Sequence, residues 1–264
     1  MATRPLTQEV SAPPLVQQAR KALDTVFDPE LDEPITDLGF VRSIDVDADR
    51  RLTVRLRLPT SFCSPNFAYL MASDAKDALA ALPGVEAVTV LLDDHHDSDL
   101  INRGLAADAD YRGTFGAEAE ESLDELRLIF RRKAHTAAME RVLTSLLRQD
   151  PALTEEKLHE VVLGDLPDMA TTHALLRRRA ALGLGVAPSD LVLVDEHGHP
   201  WPPDEIPLRL RFARSVRVSI DGNAHFCRGL LRTRYPESAA DQSPRAVDAT
   251  DPTCVPSPSK ERVS

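Results

Sequence analysis

Hydrophobic positions recur with two different periods in the first third of the chain, and each change of period marks an element. Apolar residues at helical spacing over 15–26 predict a first helix. We expect it to end at Asp28-Pro29, because the residue before a proline avoids helical backbone angles. Apolar and polar residues alternate along 40–46 and 52–58, which predicts two strands joined by a turn.

A second helix and a third strand follow. Ser64-Pro65 resembles a helix start, with a capping serine before a proline at the first helical position. Apolar residues then repeat at helical spacing to about Leu82, where Pro83-Gly84 ends the pattern. Alternation resumes over 85–92, so the first unit is predicted to be an α-β-β-α-β two-layer sandwich.

The rest of the chain has a mainly helical pattern. The longest helix of the chain is predicted from near Ser122 to Asp150-Pro151, and shorter helices are predicted over 154–163 and 168–182. Further predictions are a strand at 191–194 and, in 208–230, two strands around Asp221-Gly222 that form a hairpin. After Tyr235 the composition turns to Pro, Ser, Asp and Ala, which predicts disorder.

These patterns together predict an α+β fold with two folded units. The predicted divisions are a sandwich domain at 14–92, an acidic and histidine-bearing linker loop at 93–117, a mainly helical domain with a C-terminal hairpin at 118–235, and a tail at 236–264.

Composition and charge narrow the function classes. The 264 residues carry a formal net charge of −11, which argues against nucleic acid or an anionic membrane as the main partner. The three cysteines are far apart and form no Cys-x-x-Cys motif, so a zinc ribbon and a dithiol redox motif are both disfavoured. The chain has no run of about 18 apolar residues and no signal-peptide pattern, so we expect a cytoplasmic protein with reduced thiols.

Two stretches carry a family resemblance. Residues 28–39 read Asp-Pro-Glu-Leu-Asp-Glu-Pro-Ile-Thr-Asp-Leu-Gly, and residues 60–65, after the second strand, read Thr-Ser-Phe-Cys-Ser-Pro. Their order and spacing resemble the signature of the SufT/PaaD-like iron–sulfur cluster assembly family, although Ser64 here separates Cys63 from Pro65. The resemblance covers about residues 14–92, and it implies that Cys63, Glu30 and Asp37 are the positions that contact cargo.

Cys63 is the leading candidate by its chemistry as well. It precedes a predicted helix start, where backbone N–H groups and the helix dipole stabilise a thiolate that binds iron or receives sulfur. The competing interpretation is a cysteine packed as a small hydrophobic residue. One cysteine does not hold a cluster alone, so a site at Cys63 needs ligands from the same chain, a second subunit or a client.

Acidic and histidine side chains supply further candidates. Glu30 and Asp37 offer carboxylate oxygens, which suit iron, although solvation or turn formation explains most acids of 28–37 equally well. The run 93–99 reads Asp-Asp-His-His-Asp-Ser-Asp, which makes His95, His96 and Asp97 candidate metal ligands against the alternative of a solvated acidic loop. This loop lies near Cys63 if both occupy the same end of the sheet.

The resemblance implies a factor that assembles or matures an iron–sulfur cluster or iron centre, with iron or a cluster bound transiently. It implies as partners a client metalloenzyme or other cluster-assembly proteins, and it leaves a homodimer open. Two alternatives remain: an accessory protein for a non-haem iron oxygenase that carries no metal itself, and a metal-dependent enzyme that uses the loop at 93–99. The chain has no Gly-rich phosphate loop, Gly-x-Ser-x-Gly elbow or His-Glu-x-x-His helix, so catalysis has little direct support.

Overall fold

The predicted sandwich is present in the computed structural model, which describes residues 14–116 and 123–244. Its elements are helix α1 (Leu15–Leu23), the short strands β1 (Phe27–Asp28) and β2 (Glu33–Pro34), strands β3 (Val41–Val46) and β4 (Arg51–Arg57), helix α2 (Pro65–Ala80) and strand β5 (Ala87–Asp93). Pro65 begins α2 as predicted, and Gly84 (φ +73°) lies in the turn between α2 and β5. The α+β class and the α-β-β-α-β order are therefore confirmed, with a two-residue ladder added between β1 and β2.

Strand β4 is the centre of a mixed three-stranded sheet. It pairs with β3 in antiparallel register and with β5 in parallel register. The parallel pair is connected through α2, as such pairs require. Because β4 and β5 run the same way, the segments that follow them emerge at the same edge of the sheet.

The region predicted as a linker loop contains two helices. Helix α3 (Ser98–Ala106) and helix α4 (Tyr111–Phe115) follow β5 directly, so the expectation of a structureless loop was wrong. Ile101, Leu105 and Phe115 pack into the same core as the sheet. The polarity of 93–99 concealed this apolar stripe, because most of that run precedes α3, whereas the buried residues Ile101 and Leu105 follow it.

The second half is helical. Helix α5 (Leu123–Gln149) and helix α6 (Ala170–Ala181) match the predictions, and 3-10 turns occupy Glu155–Glu160 and Leu163–Asp165. The strand predicted at 191–194 is reduced to isolated bridges. The predicted C-terminal hairpin was wrong, because helix α7 (Ile206–Arg234) runs straight through Asp221-Gly222.

Two hydrophobic cores meet along α7. Its first half contributes Ile206 and Leu210 to a core with α5 and α6. Its second half contributes Ala224 and Leu231 to the core of the sandwich, and Tyr235, the residue after the helix, joins the same core. One helix therefore belongs to both regions, which we call the α/β region and the helical region.

The chain beyond α7 folds back on the α/β region. A 3-10 turn at Pro236–Ala240 brings Glu237 and Asp241 to the buried guanidinium of Arg57, at 3.0 and 2.5 Å. Arg57 also donates to the carbonyl of Gly39. Gly39 has φ +77°, and a Cβ there would lie 3.0 Å from the Gln242 side chain, so glycine is required in the Asp-Leu-Gly motif. The predicted disorder is wrong for 236–244, and residues 245–264 lie outside the described part.

Candidate functional site

Three segments converge at one edge of the sheet. The turn after β4 and the loop after β5 are joined by a hydrogen bond from the His96 backbone N–H to the Ser61 carbonyl, at 2.9 Å. The side chain of His95 reaches the Cys63 carbonyl at 2.8 Å. The predicted approach of the histidine loop to Cys63 is therefore confirmed, and its cause is the parallel pairing of β4 and β5.

His95 holds the cysteine turn in place. Its ring is buried, and the Asp97 backbone N–H donates to Nδ1 at 3.0 Å. The Nδ1 atom is therefore an acceptor, which leaves Nε2–H to donate to the carbonyl of Cys63. Both ring nitrogens are used in positioning, so His95 orients the turn through its backbone and does not approach the sulfur as a ligand in this arrangement.

Cys63 itself is half-buried at the start of α2. It immediately precedes Ser64 and Pro65, and its sulfur lies 3.5 Å from the hydroxyl of Thr60. The neighbouring Phe62 is 80% exposed, and its ring contacts the exposed ring of His96. The turn thus presents a thiol beside a large apolar side chain at the surface.

The Asp-Pro-Glu segment forms a tight acidic turn. Asp28 accepts hydrogen bonds from the backbone N–H groups of Glu30 and Leu31, both at 2.9 Å. Burial raises the pKa of Asp28 to about 7; the nearby charges of Glu30 and Glu33 also raise it, against the lowering effect of the two backbone bonds. Asp28 therefore exchanges its proton near neutral pH.

Helix α7 brings a second cysteine to this edge. Asn223 donates to the Glu30 carboxylate at 3.1 Å, and Cys227 lies one turn further along the helix. Burial, and to a smaller extent the charges of Asp28, Cys63 and Glu30, raise the pKa of Cys227 to about 12. Cys227 is thus close enough to interact with both predicted segments. Sequence reasoning missed this residue, although its spacing from Ala224 and Leu231 is helical.

The C-terminal end of α7 forms hydrogen bonds with the segments after β4 and β5. Arg234 donates to the Leu58 carbonyl at 3.1 Å, to the Ser61 hydroxyl at 3.0 Å and to the Asp94 carbonyl. The hydroxyl of Tyr235 donates to the Asp94 carboxylate at 2.8 Å. The segments after β4 and β5 are therefore held from one side by His95 and from the other by α7.

The remaining predicted residues occupy different surroundings. Asp37 lines a cavity of about 340 Å³ between the 27–37 segment and α5 and α6, and its backbone carbonyl accepts from Arg228 at 3.1 Å. The side chain of Asp97 is half-buried, at the residue before α3, and the Asp97 carbonyl accepts from Ile101. His96 is the exposed member of the loop.

The site does not contain a closed set of metal ligands in the described ranges. Among residues 14–116 and 123–244, no group of three or more His, Cys, Asp or Glu side chains is arranged to hold a metal ion. Nor does any helix of these ranges have the length and apolar character needed to cross a membrane.

Comparisons with known proteins fall on the same part of the chain. A family model described as "Iron-sulfur cluster assembly protein" matches residues 16–92. An "Iron-sulfur cluster carrier protein" of Mycobacterium tuberculosis is 40% identical over 74 residues, which are 28% of this chain and 19% of that protein. An uncharacterized protein of Methanocaldococcus jannaschii is 35% identical over 84 residues, which are 32% of this chain and 86% of that protein. The chain thus spans about a fifth of the mycobacterial relative.

Proposed function

Through residues 16–92 the chain belongs to the iron–sulfur cluster assembly protein family, and we propose that it is an assembly or maturation factor for a client protein. In this role it holds iron or an iron–sulfur cluster as cargo and passes it on. We place this activity in the cytoplasm, where thiols stay reduced.

One observation carries the proposal: the half-buried thiol of Cys63 stands at the sheet edge, in a turn that the buried His95 holds through the Cys63 carbonyl. Thiolate sulfur is the usual ligand of iron–sulfur clusters, and carboxylate oxygen also binds iron. The donor set therefore fits such cargo. A cluster bound through few ligands leaves easily, which suits transfer and not permanent storage.

The chain's own residues prepare the turn for exchange. His95 fixes the backbone of Cys63, Asn223 of α7 holds the Glu30 carboxylate, and the exposed ring of Phe62 marks where a partner docks. Asp37 keeps the Asp-Leu-Gly segment against α7 through its carbonyl, while its carboxylate faces the cavity between the two regions. The partners we assign are the client protein and other cluster-assembly proteins.

Anaerobic reconstitution tests this function. The full chain is incubated with ferrous iron and sulfide, desalted, and analysed for iron, labile sulfide and transfer to an apo-ferredoxin acceptor. We expect wild-type protein to retain both elements and to transfer them, and Cys63→Ser to lose both properties. Cys254→Ser is the matched control and should behave as wild type. A wild-type protein that retains no iron or sulfide, or a Cys63→Ser variant that transfers fully, would overturn the proposal.

The histidine loop contributes His96 and Asp97 as the members that can reach iron at Cys63, since both ring nitrogens of His95 are already bonded. His96→Ala should lower bound iron while changing the free energy of unfolding by less than about 0.5 kcal/mol, as expected for an exposed loop residue. Unchanged iron content in His96→Ala and in Asp97→Asn would assign the loop to positioning alone.

A further inference from the structure

Helix α7 carries large hydrophobic side chains on its solvent side as well as on its buried side. In the described ranges ten large hydrophobic side chains are exposed, and four of them belong to this helix: Leu208, Phe212, Val218 and Phe226. Both phenylalanines are 68% exposed. Single exposed apolar residues are ordinary on a protein surface, whereas their concentration on one element marks an interaction site.

The period of the helix aligns three of these side chains. Phe212 follows Leu208 by about one turn, and Phe226 follows Phe212 by about four turns, so all three project on the same side of α7. Small exposed residues occupy this side between the two phenylalanines: Ser215, Ser219 and Gly222. These six positions, which we call the α7 apolar row, therefore form a shallow depression about 21 Å long between two aromatic side chains.

A basic border runs beside the apolar row. Arg211, Val218, His225 and Arg232 are exposed and follow one another at intervals of seven residues. A seven-residue step is close to two helical turns, so these residues form a line of their own along α7. The other border is half-buried and bonded within the chain, since Asn223 donates to the Glu30 carboxylate. The basic border is therefore the one that a partner meets.

The charge of this border is not compensated within the described part of the chain. Helix α7 has seven arginines and one acidic residue, Asp221, which already pairs with Arg141 and Arg217. Arg211 and Arg232 form no ion pair with any residue of 14–116 or 123–244. Since the whole chain has a formal net charge of −11, the α7 surface differs in sign from the protein that carries it.

Apolar row and basic border together select an acidic amphipathic helix as the occupant. Its apolar side chains would fill the depression between Phe212 and Phe226, and its acidic side chains would pair with Arg211 and Arg232. A second copy of this chain fits less well, because the two copies would meet through like-charged borders. An anionic membrane would repel a chain whose formal net charge is −11.

We propose that the α7 apolar row and its basic border dock an acidic amphipathic helix of the client protein. This inference rests on the proposed function, and it adds a docking surface outside residues 16–92. Arg234, at the end of α7, binds the Leu58 carbonyl and the Ser61 hydroxyl in the turn that precedes Cys63. Phe226 lies about two turns before Arg234, which is about 12 Å along the helix axis. A helix docked on this row holds the client beside the cysteine turn.

Peptide titration of the metal-free full chain tests the docking surface without any cargo. The probe is a dye-labelled acidic amphipathic peptide of about 18 residues, with leucine on one face and glutamate on its borders, which spans the row at about 1.5 Å per residue. The matched probe has lysine in place of each glutamate. Fluorescence anisotropy should show saturable binding of the glutamate peptide that weakens with added salt, and binding of the lysine peptide about tenfold weaker or more. A glutamate peptide that does not bind saturably would overturn the inference.

Substitutions in the apolar row locate the binding on α7. Phe212→Ser and Phe226→Ser should each weaken binding of the glutamate peptide by about tenfold or more, since each removes a large aromatic anchor. Both side chains are exposed, so the variants should unfold at the wild-type urea midpoint. Leu128→Ser, at an exposed position of α5, is the matched control and should bind like wild type. Wild-type affinity in both phenylalanine variants would also overturn the inference.

Charge reversal tests the border. The double variant Arg211→Glu, Arg232→Glu should prefer the lysine peptide to the glutamate peptide, because the sign of the uncompensated charge is exchanged. Arg148→Glu, at an exposed position near the end of α5, should keep the wild-type preference. A double variant that still prefers the glutamate peptide would show that the border does not select the partner, against the inference.

The same variants distinguish the other occupants. A wild-type dimer that Phe212→Ser dissociates in analytical ultracentrifugation would assign the row to a second copy. Sedimentation with phosphatidylserine vesicles that Phe212→Ser abolishes would assign it to a membrane. Either result would replace the proposed occupant. The two proposals fail separately, because a chain that loads a cluster but binds no peptide loses only the docking role, and a chain that binds the peptide but takes up no iron or sulfide loses only the assembly role.

Discussion

The α/β region and the helical region each bury one titratable group among like charges. In the α/β region it is Asp28, which lies beside Glu30 and Glu33. In the helical region it is His135 of α5, whose pKa is lowered to about 4 by burial and, to a smaller extent, by the charges of Arg179 and Arg178. Burial and like charge favour the neutral form of both groups. They therefore raise the pKa of the acid Asp28 and lower the pKa of the base His135.

The two regions differ in the side chains that surround the buried group. Asp28 lies beside Glu30, and the charges of both carboxylates add to the effect of burial on the pKa of Cys227. His135 is enclosed by helices, and its Nε2 has no hydrogen-bond partner in the described ranges. A perturbed pKa therefore does not identify a site by itself, and the second cysteine is what distinguishes the first region from the second.

The largest expected effect comes from breaking the packing of the helix that the regions share. Leu231 is fully buried in the α/β core, and Leu210 is 7% exposed in the helical core. Leu231→Ala and Leu210→Ala should each lower the free energy of unfolding in urea by about 2–5 kcal/mol, through lost burial and a residual cavity.

The matched control is Leu208→Ala on the same helix, because Leu208 is 65% exposed. It should change the free energy of unfolding by less than about 0.5 kcal/mol. If Leu231→Ala were as mild as this control, α7 would not be part of the α/β core. The α/β region would then fold independently of α7, in agreement with the predicted division of the chain at 93–117.

The next largest effect is the dependence of the free energy of unfolding on pH that Asp28 causes. Its pKa is about 7 in the fold, against 3.8 for an ordinary aspartate carboxyl, so the folded state holds the extra proton between these values. The stabilising contribution is full below about pH 4 and is lost as pH rises to about 7. Asp28→Asn keeps an oxygen acceptor and should remove this dependence, which amounts to about 4 kcal/mol at about 1.4 kcal/mol per pKa unit. Urea unfolding at a series of pH values measures it.

The control for Asp28→Asn is Asp49→Asn, on the exposed turn between β3 and β4. Asp49→Asn should leave the pH profile of stability parallel to that of wild type. An Asp28→Asn profile that is also parallel would show that the Asp28 carboxyl is solvated in solution and ionises normally.

His135 should make the free energy of unfolding depend on pH in the opposite direction. Its pKa is about 4 in the fold, against 6.5 for an ordinary histidine side chain, so the unfolded state binds the extra proton between these values. Stability is therefore lost as pH falls from about 6.5 to about 4, by about 3 kcal/mol. His135→Leu should abolish this loss, and exposed His225→Gln is the control.

The two slopes oppose each other between about pH 4 and 6.5, so the wild-type profile should be flatter than that of either single variant. Asp28→Asn should become more stable with rising pH across this window, and His135→Leu less stable. Profiles that tilt in the same direction would contradict the comparison between the regions.

The smallest expected effect concerns an ion pair that joins the regions. Asp32 accepts from Arg178 Nε and Nη2 at 2.8 and 2.6 Å, with little of either side chain exposed. Asp32 has φ +55°, which asparagine tolerates, so Asp32→Asn removes the charge without disturbing the turn. We expect a loss of about 1–2 kcal/mol in the free energy of unfolding.

The control is the exposed pair of Glu205 and Arg209, at 2.7 Å on the helical region. Glu205→Gln should cost only about 0.2–1 kcal/mol, and added salt should reduce that cost further. Equal costs for Asp32→Asn and Glu205→Gln would mean that the pair joining the two regions is as solvated as a surface pair.

Local patterns in the sequence determined most of the α/β region. Alternation over 52–58 required a half-buried strand, the serine and proline at 64–65 began α2, and proline and glycine at 83–84 ended the helical pattern. The Asp-Pro-Glu and Thr-Ser-Phe-Cys segments were sufficient to indicate the family. These features act over a few residues, through backbone geometry and burial of one face, so the sequence expresses them directly.

Tertiary structure alone decided the form of α7 and the composition of the site. The alternation of Leu and Arg over 208–211 and the Asp221-Gly222 pair fit a hairpin locally, but a helix can bury Leu210 in one core and Leu231 in the other. That gain outweighs the roughly 1 kcal/mol that a glycine costs inside a helix. Helix α7 reaches the acidic turn through Asn223 and the segments after β4 and β5 through Arg234, although these partners are far apart in the chain. Proximity between residues so distant in the chain depends on packing, which no local pattern records.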